Sequence, residues 1–280
     1  MKNVISLKSV VLLASFVLMA MVFSCTKEGS GKDPDIEYGT DNEHIKSTSM
    51  NGVIVHQYLY DKEGRIIEEN CMSYFKKYLY ENDRLVKIES AFDRSGLSSS
   101  MPAERRTEFM TSQNSAFDTY SLYKYDKTGK LEKIDHYFNE TGKEFEHRST
   151  QTFEYKGSLI TKVSMLNHKF LTTGFDVYSY DANGNVTNEK RYSNLAGSSE
   201  IYSEISYKYD KYKNPYRILS IIGSPGLWMN TNNIVETTVT RHYEVPGFDK
   251  YSTEKRSYEY NSNGYPVKAK FTNSEEEYQY

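Results

Sequence analysis

The sequence predicts an all-β protein: an antiparallel meander of β-hairpins with about fourteen strands, in one strongly curved sheet or half-open barrel. Two features of the sequence predict this fold. Pairs of tyrosines separated by one residue recur along the chain, and most pairs are followed by Asp or Asn and, three positions later, by Gly. The clearest copies are Tyr58-Leu-Tyr60-Asp61-Lys-Glu-Gly64, Tyr123-Lys-Tyr125-Asp126-Lys-Thr-Gly129, Tyr178-Ser-Tyr180-Asp181-Ala-Asn-Gly184 and Tyr258-Glu-Tyr260-Asn261-Ser-Asn-Gly264.

The paired rings predict strands with one aromatic face. Residues two apart in a strand point to the same side, so each pair places two rings together. Looser copies are Tyr78-Leu-Tyr80, Phe153-Glu-Tyr155, Tyr207-Lys-Tyr209 and Tyr278-Gln-Tyr280. The residue between the rings is polar or charged in most copies, which is typical of an antiparallel sheet covered on one face.

The Asp and Gly of each copy predict a tight turn. Asp at the first and Gly at the fourth position suit a type I turn, in which Gly adopts positive φ. The chain then resumes as a return strand, for example at Arg65-Ile-Ile67. We expect further hairpins at 137–145 and 192–197, two irregular insertions near 96–118 and 222–234, and little helix.

The amount of aromatic surface predicts the curvature. Seven internal ring pairs at roughly 150 Å² per ring amount to about 2,000 Å². Soluble monomers seldom expose an apolar patch larger than roughly 300–600 Å². No amphipathic helix is available to cover the rings, so we expect the sheet to curl and fold its tyrosine face inward.

The N-terminus predicts a bacterial lipoprotein. Lys2 and Lys8 precede an apolar run over 10–23, and Ser24 precedes Cys25. This is a secretory signal whose apolar core is too short to span a membrane. Val-Phe-Ser-Cys25 loosely matches the lipoprotein signal, in which the cysteine is acylated after cleavage. The alternative is an ordinary signal peptide with a chance cysteine.

These features divide the chain into three parts. Residues 1–24 are the predicted signal peptide, 25–45 a polar disordered tether after the lipidated Cys25, and 46–280 the β-domain. A single lipidated cysteine anchors a protein to a membrane without crossing it. In the lipoproteins that this signal resembles, the absence of Asp directly after the cysteine favours the outer membrane, and the sequence leaves open on which face of it Cys25 lies.

The motif resembles two groups of proteins. Tyr-x-Tyr-Asp-x-x-Gly-Arg/Lys is similar to the YD repeat of rearrangement-hotspot and teneurin shells. Taken with the signal, the polar tether, the segment 210–216 and Asn232-Asn-Ile-Val235, the chain more closely resembles small YD-like lipoproteins of Gram-negative commensals. That resemblance implies a porin-like sheet and a family of unknown function, and it supplies no catalytic residue and no ligand.

A barrel that spans the outer membrane is a less favoured alternative. Membrane strands need an outward apolar band about 25 Å tall. Here the face opposite the tyrosines carries Lys, Glu and Ser, and Glu275-Glu-Glu277 lies in the last predicted strand.

The sequence contains few signs of chemistry. Motifs for a serine hydrolase, a zinc protease or a phosphate loop are absent, so we expect no cofactor, no metal and no catalytic residue. The six histidines lack metal spacing, and His147 and His168 are interpreted as strand-face or surface residues. Asp181-Ala-Asn-Gly-Asn185 is a turn, since it lacks the length and closing Glu of a calcium loop. Cys71 is expected to be a small buried side chain, with a reactive thiol as the alternative.

Two functional classes follow from the sequence. The favoured one is a non-catalytic, monomeric binding or scaffold lipoprotein of the envelope, with a glycan or protein ligand. Its net charge of −3 gives no indication of nucleic-acid binding. Trp228 and Phe248, in irregular segments, are candidate exposed aromatics, although a lid on the core is the commoner role for such a Trp. The rival is an envelope glycan hydrolase, which requires two facing carboxyls in a pocket and a raised pKa.

Overall fold

A computed structural model describes residues 43–92, 109–140, 143–194, 198–242 and 250–280. The predicted signal peptide, Cys25 and most of the predicted tether lie outside the described residues, as does Phe248. Within the described part, no helix has the length and hydrophobicity of a membrane span.

The described residues form 17 strands in one sheet, together with one 3-10 helix and one α-helical turn. The first nine strands are β1 (Ser47–Met50), β2 (Val53–Tyr60), β3 (Ile66–Cys71), β4 (Tyr74–Glu81), β5 (Arg84–Phe92), β6 (Thr119–Tyr125), β7 (Leu131–Phe138), β8 (Glu146–Lys156) and β9 (Leu159–Asn167). The remainder are β10 (Thr172–Tyr180), β11 (Val186–Ser193), β12 (Glu200–Lys213), the 3-10 helix (Pro215–Ile222), α1 (Pro225–Trp228), β13 (Asn232–Arg241), β14 (Tyr251–Lys255), β15 (Ser257–Tyr260), β16 (Pro266–Lys270) and β17 (Glu275–Gln279).

The sheet is an antiparallel meander that returns on itself. Each strand from β1 to β13 pairs with the next one along the chain. Arg256 alone separates β14 from β15, which continues the pairing through β16 to β17. Strand β17 pairs in turn with β1, so the sheet is a nearly closed barrel. The predicted all-β meander is confirmed, with more strands than the expected fourteen.

The first and last strands form the seam that closes the barrel. Thr48 lies opposite Tyr278 and Ser47 lies opposite Gln279, whose side-chain oxygen accepts a hydrogen bond from the Ser47 hydroxyl at 2.9 Å. Ile45 is fully buried, and His44 stacks on Tyr60 at 5.1 Å. The folded domain therefore includes the last two residues of the predicted tether.

The tyrosine face points inward, as the alternation predicts. No ring of the eight pairs is exposed, and Tyr58 and Tyr78 retain only 2% and 3% of their accessible surface. The polar residues between the rings are all exposed on the outer wall, whereas Leu59 and Leu79 are half-buried there. Curvature covers most of the aromatic surface and leaves a lumen lined by inward-facing side chains.

The predicted turns have the expected hydrogen bonds. In the first, the Asp61 side chain accepts from the backbone N–H groups of Glu63 and Arg65, and the Gly64 N–H donates to the Asp61 carbonyl. Gly64 has a φ of 76°, which a side chain with a Cβ adopts only with strain. The turns that begin at Asp126, Asp181 and Asn261 repeat the arrangement.

A ladder of tyrosine hydroxyls joins neighbouring hairpins. In seven of the eight pairs the second tyrosine donates to a backbone carbonyl within two residues of the start of the preceding strand. These bonds run from Tyr60 to Ile45 (2.7 Å), Tyr80 to Ile66 (2.8 Å), Tyr125 to Leu85 (2.9 Å), Tyr155 to Leu131 (2.8 Å), Tyr180 to Ile160 (2.6 Å), Tyr209 to Val186 (2.7 Å) and Tyr280 to Pro266 (2.8 Å). In the remaining pair Tyr258 donates to Ile234 at 2.8 Å, and Tyr260 is hydrogen-bonded to Asp210.

Residues 214–231, between β12 and β13, form a plug that packs into the barrel. The Asn214 side chain caps the 3-10 helix by accepting from the Tyr216 N–H, and Gly223 ends that helix with a φ of 77°. Leu219 is almost fully buried among the core residues. The expected insertion at 222–234 is therefore shifted, because the plug begins eight residues earlier and is partly helical.

Candidate functional site

The lumen contains a cavity of about 520 Å³ between the plug and the inner wall. Strands from both halves of the sheet line it, and Trp228 and Leu227 of the plug contribute to its lining. Leu227 is 57% exposed although it lies in this lining, so solvent reaches the cavity. The tyrosines that line it are Tyr58, Tyr74, Tyr207, Tyr216, Tyr258 and Tyr278.

The polar lining of the lumen follows the same alternation as the rings. The residue two positions before the first ring of a pair shares its inward face. In four pairs this residue is charged or titratable and lines the cavity: His56, Lys76, Arg256 and Glu276. No sequence motif named these residues, although their spacing of two positions before each ring pair identifies them.

Glu69 is the centre of one lumenal ion pair. It is 4% exposed, and it accepts hydrogen bonds from Lys76 Nζ at 2.9 Å, Tyr74 at 2.5 Å and Tyr78 at 3.1 Å. Burial opposes its ionisation, but the Lys76 ammonium and these hydrogen bonds lower the pKa of Glu69 below its usual value. Glu69 is therefore a fixed negative charge with its hydrogen-bonding capacity largely used.

Glu276 is a second buried carboxylate in the cavity wall. Its two oxygens accept from the hydroxyls of Tyr216, on the plug, and Tyr278, both at 2.6 Å. Burial first, and the nearby charges second, raise the pKa of both phenols, which stay protonated and able to donate. This carboxylate therefore ties the plug to the wall of the barrel.

Two further buried acidic residues, Asp176 on β10 and Glu189 on β11, lie close together. Glu189 is 3% exposed and accepts from Arg191 Nε at 2.6 Å and from the Tyr207 hydroxyl at 2.9 Å. Burial, and then the charge of Glu189, raise the pKa of Asp176 to about 6. Asp176 lines a separate cavity of about 550 Å³ that also includes Phe175 and His242.

These carboxyls meet the requirements of a hydrolase only in part. The raised pKa belongs to Asp176, outside the lining of the lumenal cavity, whereas Glu69 inside it has a lowered pKa. Both oxygens of Glu189, the neighbour of Asp176, are already engaged by Arg191 and Tyr207. The arrangement therefore suits the binding of a ligand by hydrogen bonds and ring faces better than acid–base chemistry.

Trp228 is half-buried and combines the two roles considered for it. It packs on the core and on Tyr216, with ring centroids 5.5 Å apart, and it also lines the cavity. The ring is thus a lid on the core whose remaining surface faces the lumen.

A second surface, the outer aromatic strip, crosses β6 to β10 on the outer wall. It consists of Phe117, Phe145, Tyr120, Tyr137, His147 and Phe170, whose successive ring centroids are 4.6 to 5.4 Å apart. Phe170 occupies the position of Gly in a turn that begins at Asn167, has a φ of 58° and is 58% exposed. Most of the strip's ring faces contact one another, as cross-strand aromatic pairs do in stable sheets.

Cross-strand ion pairs cover much of the outer wall. Their partners lie on adjacent strands, directly opposite in three pairs and diagonally in the other two, at distances of 2.6 to 3.1 Å. They join Glu154 to Lys162, Glu204 to Lys190, Glu236 to Lys208, Glu259 to Lys270 and Glu275 to Lys268.

The histidines and the cysteine discussed in the sequence analysis differ in how deeply they are buried. His147 is half-buried on a strand face and His168 is exposed at a hairpin tip, as expected. Cys71 is only half-buried and is hydrogen-bonded to His56, so the expectation of a buried apolar thiol is wrong. Among the described residues, no group of three or more His, Cys, Asp or Glu side chains could hold a metal ion.

Comparison with solved structures identifies proteins of similar fold. A porin-like protein from Bacteroides vulgatus superimposes with a TM-score of 0.52 at 13% identity, covering 85% of this chain and 98% of that protein. The fold is porin-like. A porin-like protein from Bacteroides uniformis gives a TM-score of 0.45 at 10% identity, covering 84% and 97%, respectively. A TcdB2–TccC3–TEV structure gives a TM-score of 0.28 at 15% identity, covering 77% of this chain and 11% of the other. No family model and no curated protein matches the sequence.

Proposed function

We propose that this protein is a lipid-anchored binding protein of the bacterial outer membrane, which holds a small ligand in the lumen of its barrel. It is attached through Cys25 and acts as a monomer without catalysis. The YD-like lipoproteins of Gram-negative commensals remain the family that its sequence resembles. The ligand has the chemistry of a glycan or a short peptide.

The observation that carries this proposal is the lumenal cavity. Its volume of about 520 Å³ lies within the range of small-molecule sites, roughly 300–1,000 Å³. Phenol and indole rings offer flat apolar faces with polar edges, which suit sugars and peptides alike. Lys76 and Arg256 supply charge in the same lining.

The charged outer wall supports a domain that stands in water beside the membrane. Ion pairs such as Lys208 with Glu236 lie where a lipid-facing wall needs apolar side chains. Attachment by a lipid on Cys25 fits such a domain, since it needs no membrane-facing surface of its own.

A binding experiment with two matched leucine variants tests the site. The chain from residue 25 with Cys25→Ser is screened against glycan and peptide arrays, and a hit is titrated by the fluorescence of Trp228, the only tryptophan. Leu227→Glu places a charge in the cavity, and Leu171→Glu makes the same change beside the outer aromatic strip. The two leucines are comparably exposed, at 57% and 61%.

We expect Leu227→Glu to weaken binding at least about tenfold and Leu171→Glu to leave it unchanged. The loss of an apolar contact, together with the desolvation of the new carboxylate when a ligand covers it, costs more than about 1.4 kcal/mol. The reverse pattern would assign binding to the outer strip. The absence of any ligand on the arrays would contradict the proposed ligand classes.

A glycan hydrolase is the second candidate, and the raised pKa of Asp176 beside Glu189 is what favours it. If the chain cleaves glycans, new reducing ends appear on incubation and Asp176→Asn abolishes them. We expect no turnover with the unmodified chain.

A further inference from the structure

Three side chains on neighbouring strands form a row on the inner wall that reaches the cavity at His56. Thr48 on β1 lies opposite His56 on β2, and His56 lies opposite Cys71 on β3. Directly opposed residues of antiparallel strands have Cβ atoms about 4.5–5.5 Å apart and point to the same face. The row therefore lies on the inner wall, and His56 is part of the cavity lining.

The two hydrogen bonds of the imidazole fix its orientation. Thr48 Oγ1 is 3.1 Å from His56 Nδ1, and Thr48 is fully buried. The imidazole also forms a hydrogen bond with the Cys71 thiol, which lies directly opposite it on β3. A fixed base in contact with a thiol is the arrangement that activates cysteine nucleophiles.

The surroundings of the sulfur favour the thiolate. Ser73 supplies both its backbone N–H and its hydroxyl, with Oγ 3.6 Å from the sulfur. Burial opposes ionisation, but the hydrogen bond from His56 and those from Ser73 outweigh it and lower the pKa of Cys71 to about 7. Cys71 is half-buried at the end of β3, so the sulfur keeps contact with solvent.

The other charged groups near the row act mainly on the imidazole. Burial opposes protonation of His56, but its hydrogen bond to Cys71 and the carboxylates of Glu69 and Glu276 raise the pKa of His56. Lys76 is bonded to Glu69, and Tyr74 donates to the same carboxylate. The pair is thus poised to exist as a thiolate beside an imidazolium near neutral pH.

We propose that Cys71, activated by His56 and positioned by Thr48, is a thiol-modification site that exchanges with low-molecular-weight disulfides entering the lumen. The Cys71 thiolate attacks one sulfur of the small disulfide, whose S–S bond breaks as the bond to Cys71 forms. The second half leaves as a thiolate and takes up the proton held by His56. The small disulfide is the oxidant, and the product is a mixed disulfide on Cys71.

The experiment uses the chain with Cys25→Ser, in which Cys71 is the remaining cysteine. Oxidised glutathione is added at pH values from about 5.5 to 9, and intact mass spectrometry gives the rate of addition of one glutathionyl group. We expect the rate to rise with a midpoint near pH 7. The same chain unfolded in urea should show the ordinary thiol midpoint of about 8.5.

Two histidine variants separate activation from a general effect of the lumen. His56→Gln should move the midpoint toward about 8.5 and slow the reaction at pH 6.5 by roughly fivefold, since the loss of thiolate is partly offset by its greater nucleophilicity. His136→Gln is the matched control, because His136 also lies on an inner face but is bonded to Ser121 and Gln151. Its rate should be unchanged.

The conservative variant Thr48→Val keeps the imidazole but loses its orienting contact. It should give an intermediate midpoint in a chain that still folds, as judged by circular dichroism. A midpoint in the folded chain equal to that in urea, no addition at all, or equal effects of His56→Gln and His136→Gln would each overturn the proposal.

Discussion

The hydroxyl of Tyr180 donates to the backbone carbonyl of Ile160 at 2.6 Å, and so joins the second ring of one hairpin to the start of the preceding strand. Equivalent bonds recur around the barrel. They give the second tyrosine of seven pairs a role beyond burial, since a phenylalanine there would fill the same space without the bond. The repeat therefore specifies which strand lies beside which.

Tyr180→Phe should lower the free energy of unfolding by about 1 kcal/mol, because the Ile160 carbonyl loses a hydrogen bond that burial makes hard to replace. Tyr120→Phe is the matched control: its ring packs on Tyr137, and its hydroxyl has no hydrogen-bond partner among the described residues. Urea unfolding measures both variants. Equal effects of the two substitutions would show that the ladder does not stabilise the fold.

Gly184→Ala tests the turn. Gly184 has a φ of 82°, and a Cβ there would meet nothing closer than Thr231 Oγ1 at 3.9 Å. The expected loss of about 1 kcal/mol thus comes from the backbone conformation alone. Asn183→Ala, an exposed change in the same turn, should stay within about 0.5 kcal/mol of the unmodified chain. A neutral Gly184→Ala in urea unfolding would contradict the turn assignment.

Asp176 should make stability depend on pH. Its folded pKa of about 6 lies above the unfolded value of about 3.9, so the folded chain binds more protons between them. This contribution to stability is complete below about pH 4 and is lost as the pH rises through 6. Asp176→Asn should therefore stabilise the protein most above pH 7, with little difference at pH 4, as measured by urea unfolding across this range.

Asp181→Asn is the control of opposite sign for that experiment. Burial opposes ionisation of Asp181, but hydrogen bonds from Asn185, Asn183 and Gly184 outweigh it and lower its pKa. Its contribution is present at neutral pH and is lost as the pH falls through the folded pKa. The chain itself uses Asn261 at the equivalent turn position, so the substitution is compatible with the turn. If the stability differences between each variant and the unmodified chain change with pH in the same direction, the assignment of Asp176 is wrong.

Lys76→Met should destabilise the protein by about 2 kcal/mol, because it leaves the buried Glu69 carboxylate without its cation. Lys77→Met is the neighbouring control, since Lys77 is exposed on the outer wall. Thermal unfolding measures both. A stability unchanged by Lys76→Met would mean that the phenols of Tyr74 and Tyr78 suffice to hold the charge.

The local features of the fold could be predicted from the sequence, because they depend on neighbours along the chain. Tyr58 and Tyr60 share a face through the two-residue strand period, and the turn at Asp61 follows from side-chain hydrogen bonding. Even the lumenal position of Glu276 follows from its place two residues before Tyr278. Of the three acidic residues counted against a membrane barrel, Glu276 therefore faces the lumen.

Long-range features could not be predicted in this way. The seam pairs Ser47 with Gln279, 232 residues apart, and no local pattern specifies that register. The plug has short helices with weak periodicity, so its start at Asn214 was missed. The row of Thr48, His56 and Cys71 depends on the register of three strands, and composition alone gave no sign of it.

The inward position of the paired tyrosines is tested most directly by a spectrophotometric titration of the phenols. Burial is the first cause that raises the pKa of nearly all the paired tyrosines, to about 12 for Tyr155 and Tyr258 and further for others such as Tyr178 and Tyr278. We therefore predict that fewer than half of the 26 tyrosines ionise below about pH 11, and that the rest ionise only as the chain unfolds. Ionisation of nearly all of them with one midpoint near pH 10, in a chain whose circular dichroism is unchanged, would contradict the account.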